Sequence, residues 1–81
     1  MQVYQFTEQP YYPVWNDHSG SLRVNLPSRK LDPKIAGDLF HRYYDELLLS
    51  DELGLNIMLN EHHQTATCIT SSASVMLGIL A

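Results

Sequence analysis

The sequence predicts an α/β fold, two successive βα units forming one domain over residues 1–81. Three observations carry this expectation. A β-forming opening is followed, after a long irregular stretch, by an apolar pattern of helical period. At a single glycine that pattern gives way to strict alternation. A serine-led, almost wholly apolar stretch comes last. The order strand, helix, strand, helix implies a parallel pair joined by a right-handed crossover.

Met1 to Thr7 reads as the first strand, because Val3, Tyr4 and Phe6 favour extended backbone and neither Gly nor Pro interrupts them. Glu8 to Lys30 reads as a loop, with three of the four prolines and the aromatics Tyr11, Tyr12 and Trp15. Loops of about 20 residues are uncommon in compact domains unless they serve as lids or binding loops. The alternative is a surface excursion whose aromatics pack down. Asp32-Pro33 supplies an N-cap and a proline at the first helical position, where its missing N–H costs nothing. Ile35, Leu39, Tyr43 and Leu47 then recur every four residues beside Ala36, Phe40 and Tyr44, giving one broad apolar face. Asp38 and Arg42 are spaced to pair on its polar flank. Gly54 after Leu53 ends the helix. Leu55, Ile57 and Leu59 alternate with Asn56, Met58 and Asn60 as the second strand, which runs into Glu61-His62-His63. After a loop from Gln64 to Thr70, Ser71 or Ser72 caps a second helix of apolar residues to Ala81.

Composition excludes several classes. A chain of this length buries roughly 60–65% of its unfolded surface, enough for one small core. With 44% apolar and 17% charged residues it is neither a disordered tail nor a membrane bundle. Five scattered bases against nine acids give no basic stripe for a nucleic acid. The single Cys68 rules out a scaffold built on internal disulfides and reads as a small buried hydrophobe rather than a nucleophile. The opening MQVYQFTEQPYY has neither the basic region nor the apolar run of a signal peptide, so a soluble cytoplasmic protein is expected. The apolar close Gly78-Ile79-Leu80-Ala81 carries no polar cap, and a parallel pair needs cover on both faces. Both features lead to the expectation of an N-terminal piece of a larger α/β protein. An 81-residue protein that buries this end in a partner is the alternative, and the apolar run falls well short of the ~20 residues of a membrane span.

Strand parity singles out a candidate site. Asn56, Met58, Asn60 and His62 share one face, and Leu55, Ile57, Leu59 and Glu61 the other. The apolar file should meet the helices. The polar file ends in a histidine at the strand's carboxyl end, where α/β proteins bind their ligands. His63 is the fallback if parity slips at the last residue. No metal centre is expected: adjacent histidines on a strand point apart, no H-E-x-x-H is present, and His18 and His41 lack ligand spacing. No G-x-G-x-x-G or P-loop marks a phosphate site.

The run S-D-E-L-G-L-N-I-M-L-N-E-H-H, from Ser50 to His63, followed by a serine-capped apolar helix, resembles the luciferase-like monooxygenase family, which includes bacterial luciferase. The likeness in pattern covers essentially the whole chain, and its specific part is Leu53 to His63. The resemblance implies that the chain is the first two βα units of a truncated TIM (β/α)8 barrel. It implies reduced FMN as cofactor, a deazaflavin in some branches, and molecular oxygen as co-substrate. A flavin hydroperoxide would then oxygenate a small organic substrate, with a flavin reductase as partner and a parent protein that is a dimer.

Residue by residue, the first histidine of E-H-H maps to His62 as the catalytic residue. The parity of the strand turns the same residue toward the site. His63 and Asn60 are expected at the cofactor, and Tyr11, Tyr12 and Trp15 as a wall of the substrate pocket. Histidine suits the task because it can move a proton near neutral pH. Three-quarters of such a barrel lies outside this sequence, so the isolated piece is expected to be inactive. A deazaflavin-dependent dehydrogenase of the same fold and a small non-enzymatic interaction module are the alternatives.

Overall fold

The computed structural model describes residues 1–16, 20–21, 26–63, 65–70 and 72–81. His18, Ser71 and the inner part of the Glu8–Lys30 loop lie outside the described residues. Strand β1 (Tyr4–Thr7) leads through two short 3-10 turns to helix α1 (Pro33–Glu52), strand β2 (Asn56–Leu59) and helix α2 (Ala73–Leu80). The two strands pair in parallel, with Tyr4 opposite Asn56, Phe6 opposite Met58 and Thr7 opposite Leu59. Both strands are shorter than expected from the sequence, which predicts Met1 to Thr7 and Leu55 to Asn60. Backbone pairing nonetheless reaches back to Val3, whose carbonyl accepts from Asn56 N–H at 2.9 Å.

Helix α1 has the ends its sequence specifies. Asp32 Oδ1 accepts from Lys34 N–H at 2.8 Å and Ile35 N–H at 3.4 Å, satisfying two donors that the helix leaves open. At the other end Gly54 takes a φ of +75°, a conformation that a side chain would strain. Gly54 N–H donates to Asp51 O at 3.0 Å and Leu55 N–H to Ser50 O at 2.9 Å, the paired bonds of a Schellman turn. This turn delivers the chain into β2 after three residues, Leu53, Gly54 and Leu55, where the sequence pattern allowed only Gly54.

The buried face of α1 is Leu39, Tyr43, Leu47 and Ser50, flanked by half-buried Ala36, Phe40 and Tyr44. Ile35 stands exposed, although the four-residue repeat includes it. A helix turns every 3.6 residues, so a strict spacing of four drifts round the cylinder and carries Ile35 off the face centred on Tyr43. Arg42 also departs from expectation. Its Nε donates to Glu46 Oε1 at 3.1 Å, one turn onward, instead of reaching back to Asp38.

The larger surprise is the segment 65–70, expected as an ordinary loop. Thr65, Ala66, Thr67, Cys68 and Thr70 are all buried. They bury because they find backbone partners in the first loop. Pro10 and Cys68 form an antiparallel bridge, in which Tyr11 N–H donates to Thr67 O at 2.8 Å and Ile69 N–H to Gln9 O at 3.0 Å. Ala66 N–H adds a bond to Leu26 O at 2.9 Å. With these groups satisfied, burial carries no orphan penalty for that stretch of main chain. The core cluster follows from this joint: Tyr11, Leu26 and Ala66 from the loops pack with Leu39 and Tyr43 from α1.

The sheet's two faces are unlike. Ile57 and Leu59 are half-buried, as expected for the apolar file, and α1 packs on β2. The opposite face presents Tyr4, Phe6 and Met58, each about half exposed. Among the described residues no helix is long and apolar enough to cross a membrane.

Candidate functional site

Because β1 and β2 run parallel, the loops that follow them emerge at the same end of the sheet. Asn60 and Glu8 meet there, and His62 follows two residues along the chain. Asn60 and Glu8 each stand one residue beyond the last paired residues, Leu59 and Thr7, and Asn60 Nδ2 donates to Glu8 Oε1 at 3.2 Å. His62 follows with the parity of Asn60. It is half-buried, and its N–H donates to Thr70 O at 3.1 Å, which fixes the backbone that carries the imidazole.

Glu61 and His63 take the other parity, and their side chains meet, with His63 Nε2 lying 3.2 Å from Glu61 Oε1. The second carboxylate oxygen, Oε2, accepts from Ala73 N–H at 2.7 Å, the first residue of α2. Ser72, in the N-cap position, makes no side-chain capping bond, so Glu61 does that work from twelve residues away. The Ala73 N–H first, and the His63 ring second, hold the Glu61 carboxyl below its usual pKa. A carboxyl lowered on folding contributes stability above its unfolded pKa and loses it as pH falls through the folded one. Glu61→Gln is therefore expected to lower the urea midpoint near neutral pH. The gap from wild type should narrow once pH drops below about 4. Midpoints measured at both ends check this, and a pH-independent gap would remove the electrostatic role.

Gln9 is the strained residue at this end. It has a φ of +50°, in the left-handed region, and is 1% exposed. Among the described residues its Oε1 and Nε2 have no hydrogen-bond partner, and the same is true of Asn60 Oδ1 and Thr70 Oγ1. A buried polar atom without a partner costs about 1–3 kcal/mol. Positive φ at a non-glycine residue adds about 1–3 kcal/mol. Such costs concentrate where a fold serves something other than its own stability.

The aromatics of the first loop are distributed differently from a single wall. Tyr11 is 1% exposed, and its hydroxyl accepts from Asp32 N–H at 2.9 Å, so it supports the start of α1. Trp15 is half-buried, and its Nε1 donates to Thr67 O at 3.0 Å. Tyr12 alone of the three stands exposed, at 53%. Tyr43, a core residue, donates its hydroxyl to Pro10 O at 2.7 Å, and burial pushes its pKa up. Cys68 is buried and takes part in no disulfide. Among the described residues no three metal-ligating side chains converge.

Sequence reasoning missed Glu8, which it placed in the loop without a role, and Gln9. The parity of β1 could have found Glu8, since Tyr4, Phe6 and Glu8 alternate as Met58 and Asn60 do. No protein-family model, curated protein or solved structure matches this chain.

Proposed function

We propose that this chain forms the first two βα units of a luciferase-like, flavin-dependent monooxygenase of TIM-barrel fold, with His62 as its catalytic residue. The observation that carries the reading is the Asn60–Glu8 contact at the carboxyl end of a parallel pair, with His62 two residues farther on in the E-H-H that follows β2. The exposed apolar face of Tyr4, Phe6 and Met58 supports it, because a barrel covers that face with the strands that follow.

The donor and acceptor set fits a flavin ring. Asn60 Oδ1 and the Gln9 carboxamide are neutral polar atoms still without partners among the described residues, and a flavin ring edge offers both N–H and C=O groups. Asn60 is the residue assigned to hold it, since His63 takes the other parity and meets Glu61, and activation of molecular oxygen is the chemistry that a bound reduced flavin would supply. His62 moves a proton at the reacting oxygen or donates a hydrogen bond to it. Tyr12 and Trp15 border the organic substrate. A separate flavin reductase supplies reducing equivalents, and the protein is cytoplasmic.

The test uses the polypeptide as its native source makes it. A mass of roughly 30–45 kDa is expected for a barrel with insertions. Anaerobic titration should show reduced FMN binding, and substrate should turn over only when oxygen is admitted. Turnover without oxygen would replace the monooxygenase by a dehydrogenase of the same fold. A native product of 9.3 kDa that leaves flavin untouched would overturn the reading.

A further inference from the structure

The Glu8–Asn60 pair sets which atom the site shows to a ligand. An ionised carboxylate can only accept hydrogen bonds, so the amide atom facing Glu8 Oε1 at 3.2 Å has to be Nδ2. That choice removes the usual ambiguity between the two ends of an asparagine amide. The remaining atom, Oδ1, is an acceptor, and it is buried without a donor among the described residues. The pair sits on the sheet face that also carries Phe6 and Met58, away from the helix. Both carboxyl-end residues are half-buried.

We infer that Glu8 is a positioning residue for the binding site: it locks the Asn60 amide so that Oδ1 accepts an N–H from the bound ring. This deepens the function proposed above and rests on it for the identity of the ring. The chemistry selects a ligand with a hydrogen-bond donor on its edge and disfavours one that presents only acceptors there, since two acceptors face to face leave both unpaired. Glu8 acts through Asn60 and makes no claim on the reacting atoms.

The experiment is a reciprocal exchange in the native polypeptide, read anaerobically as the dissociation constant for reduced FMN. Asn60→Leu removes the acceptor and is expected to weaken binding about tenfold, the worth of one such bond. Glu8→Gln lets the Asn60 amide take either orientation, so a loss of about two- to fivefold is expected. Asn60→Asp alone puts a second carboxylate against Glu8 and should weaken binding more than tenfold. Combining Asn60→Asp with Glu8→Gln restores one donor facing one acceptor and leaves an oxygen toward the ligand. Binding within about twofold of wild type is then expected.

That rescue is the signature, because a residue of merely structural use would not be repaired by exchanging donor and acceptor. Unchanged affinity in Glu8→Gln, or an exchange variant as weak as Asn60→Asp while its thermal unfolding matches wild type, overturns the inference and spares the proposed function. A wild type that binds no FMN overturns both.

Discussion

His62→Ala in the native polypeptide is expected, on the proposed reading, to slow oxygenation by about 10²–10⁴-fold, the usual worth of a positioned proton-transfer group, and to change flavin affinity by less than about threefold. The separation follows from how the residue is held. The His62 backbone is tied to Thr70 O, so the substitution removes the imidazole and leaves the loop in place. The neighbouring contacts of Glu61 with Ala73 and His63 survive as well. Rapid mixing of reduced enzyme with oxygen reads the rate, and anaerobic titration reads the affinity. Equal loss of the two would make His62 a binding residue, and loss of neither would end the catalytic role proposed for it.

Tyr11→Ala has the largest expected effect on stability. Tyr11 is buried in the core cluster, its hydroxyl accepts from Asp32 N–H, and its own N–H donates to Thr67 O. Removing a buried aromatic ring costs about 3–5 kcal/mol. A domain of this size has only about 4–12 kcal/mol to lose. Tyr11→Phe keeps the ring and deletes the acceptor, so about 1 kcal/mol is expected. Denaturant unfolding of both variants separates packing from hydrogen bonding. If the two fall together, the hydroxyl rather than the ring organises the loop. Either way the side chain is a pillar under α1, and substrate contact in the first loop falls to Tyr12 and Trp15 in the proposed reading.

The regular elements were legible because their signals are local. Asp32-Pro33 and Gly54 mark the ends of α1, and the period-two run from Leu55 to Asn60 marks β2 with its faces correctly sorted. What could not be read was the fate of residues 65–70. Thr65-Ala66-Thr67-Cys68 has no period and no strong propensity. It buries because main-chain groups some 58 residues away happen to match it, and no local pattern encodes such a match. The Glu61 cap was hidden for a similar reason, since capping boxes are recognised at three residues' spacing and this one works across twelve. Of the candidate site, strand parity alone gave Asn60 and His62 a shared face. The parity of β1 puts Glu8 on the face of Tyr4 and Phe6, but its meeting with Asn60 follows from the register of β1 against β2, which alternation in one strand cannot supply.

The bridge between Pro10 and Cys68 also fixes an order of events along the chain. Closing so long a segment from the unfolded state carries the full loop entropy of nearly sixty residues, with no regular structure at either end to hold it. Once Thr7 has met Leu59, the segment left to close shrinks to about a dozen residues, and the entropic cost shrinks with it. The two loops should therefore zip last, on a sheet that already exists. The polar groups at its carboxyl end reach their final positions only in that last step, so the site matures after the scaffold that bears it.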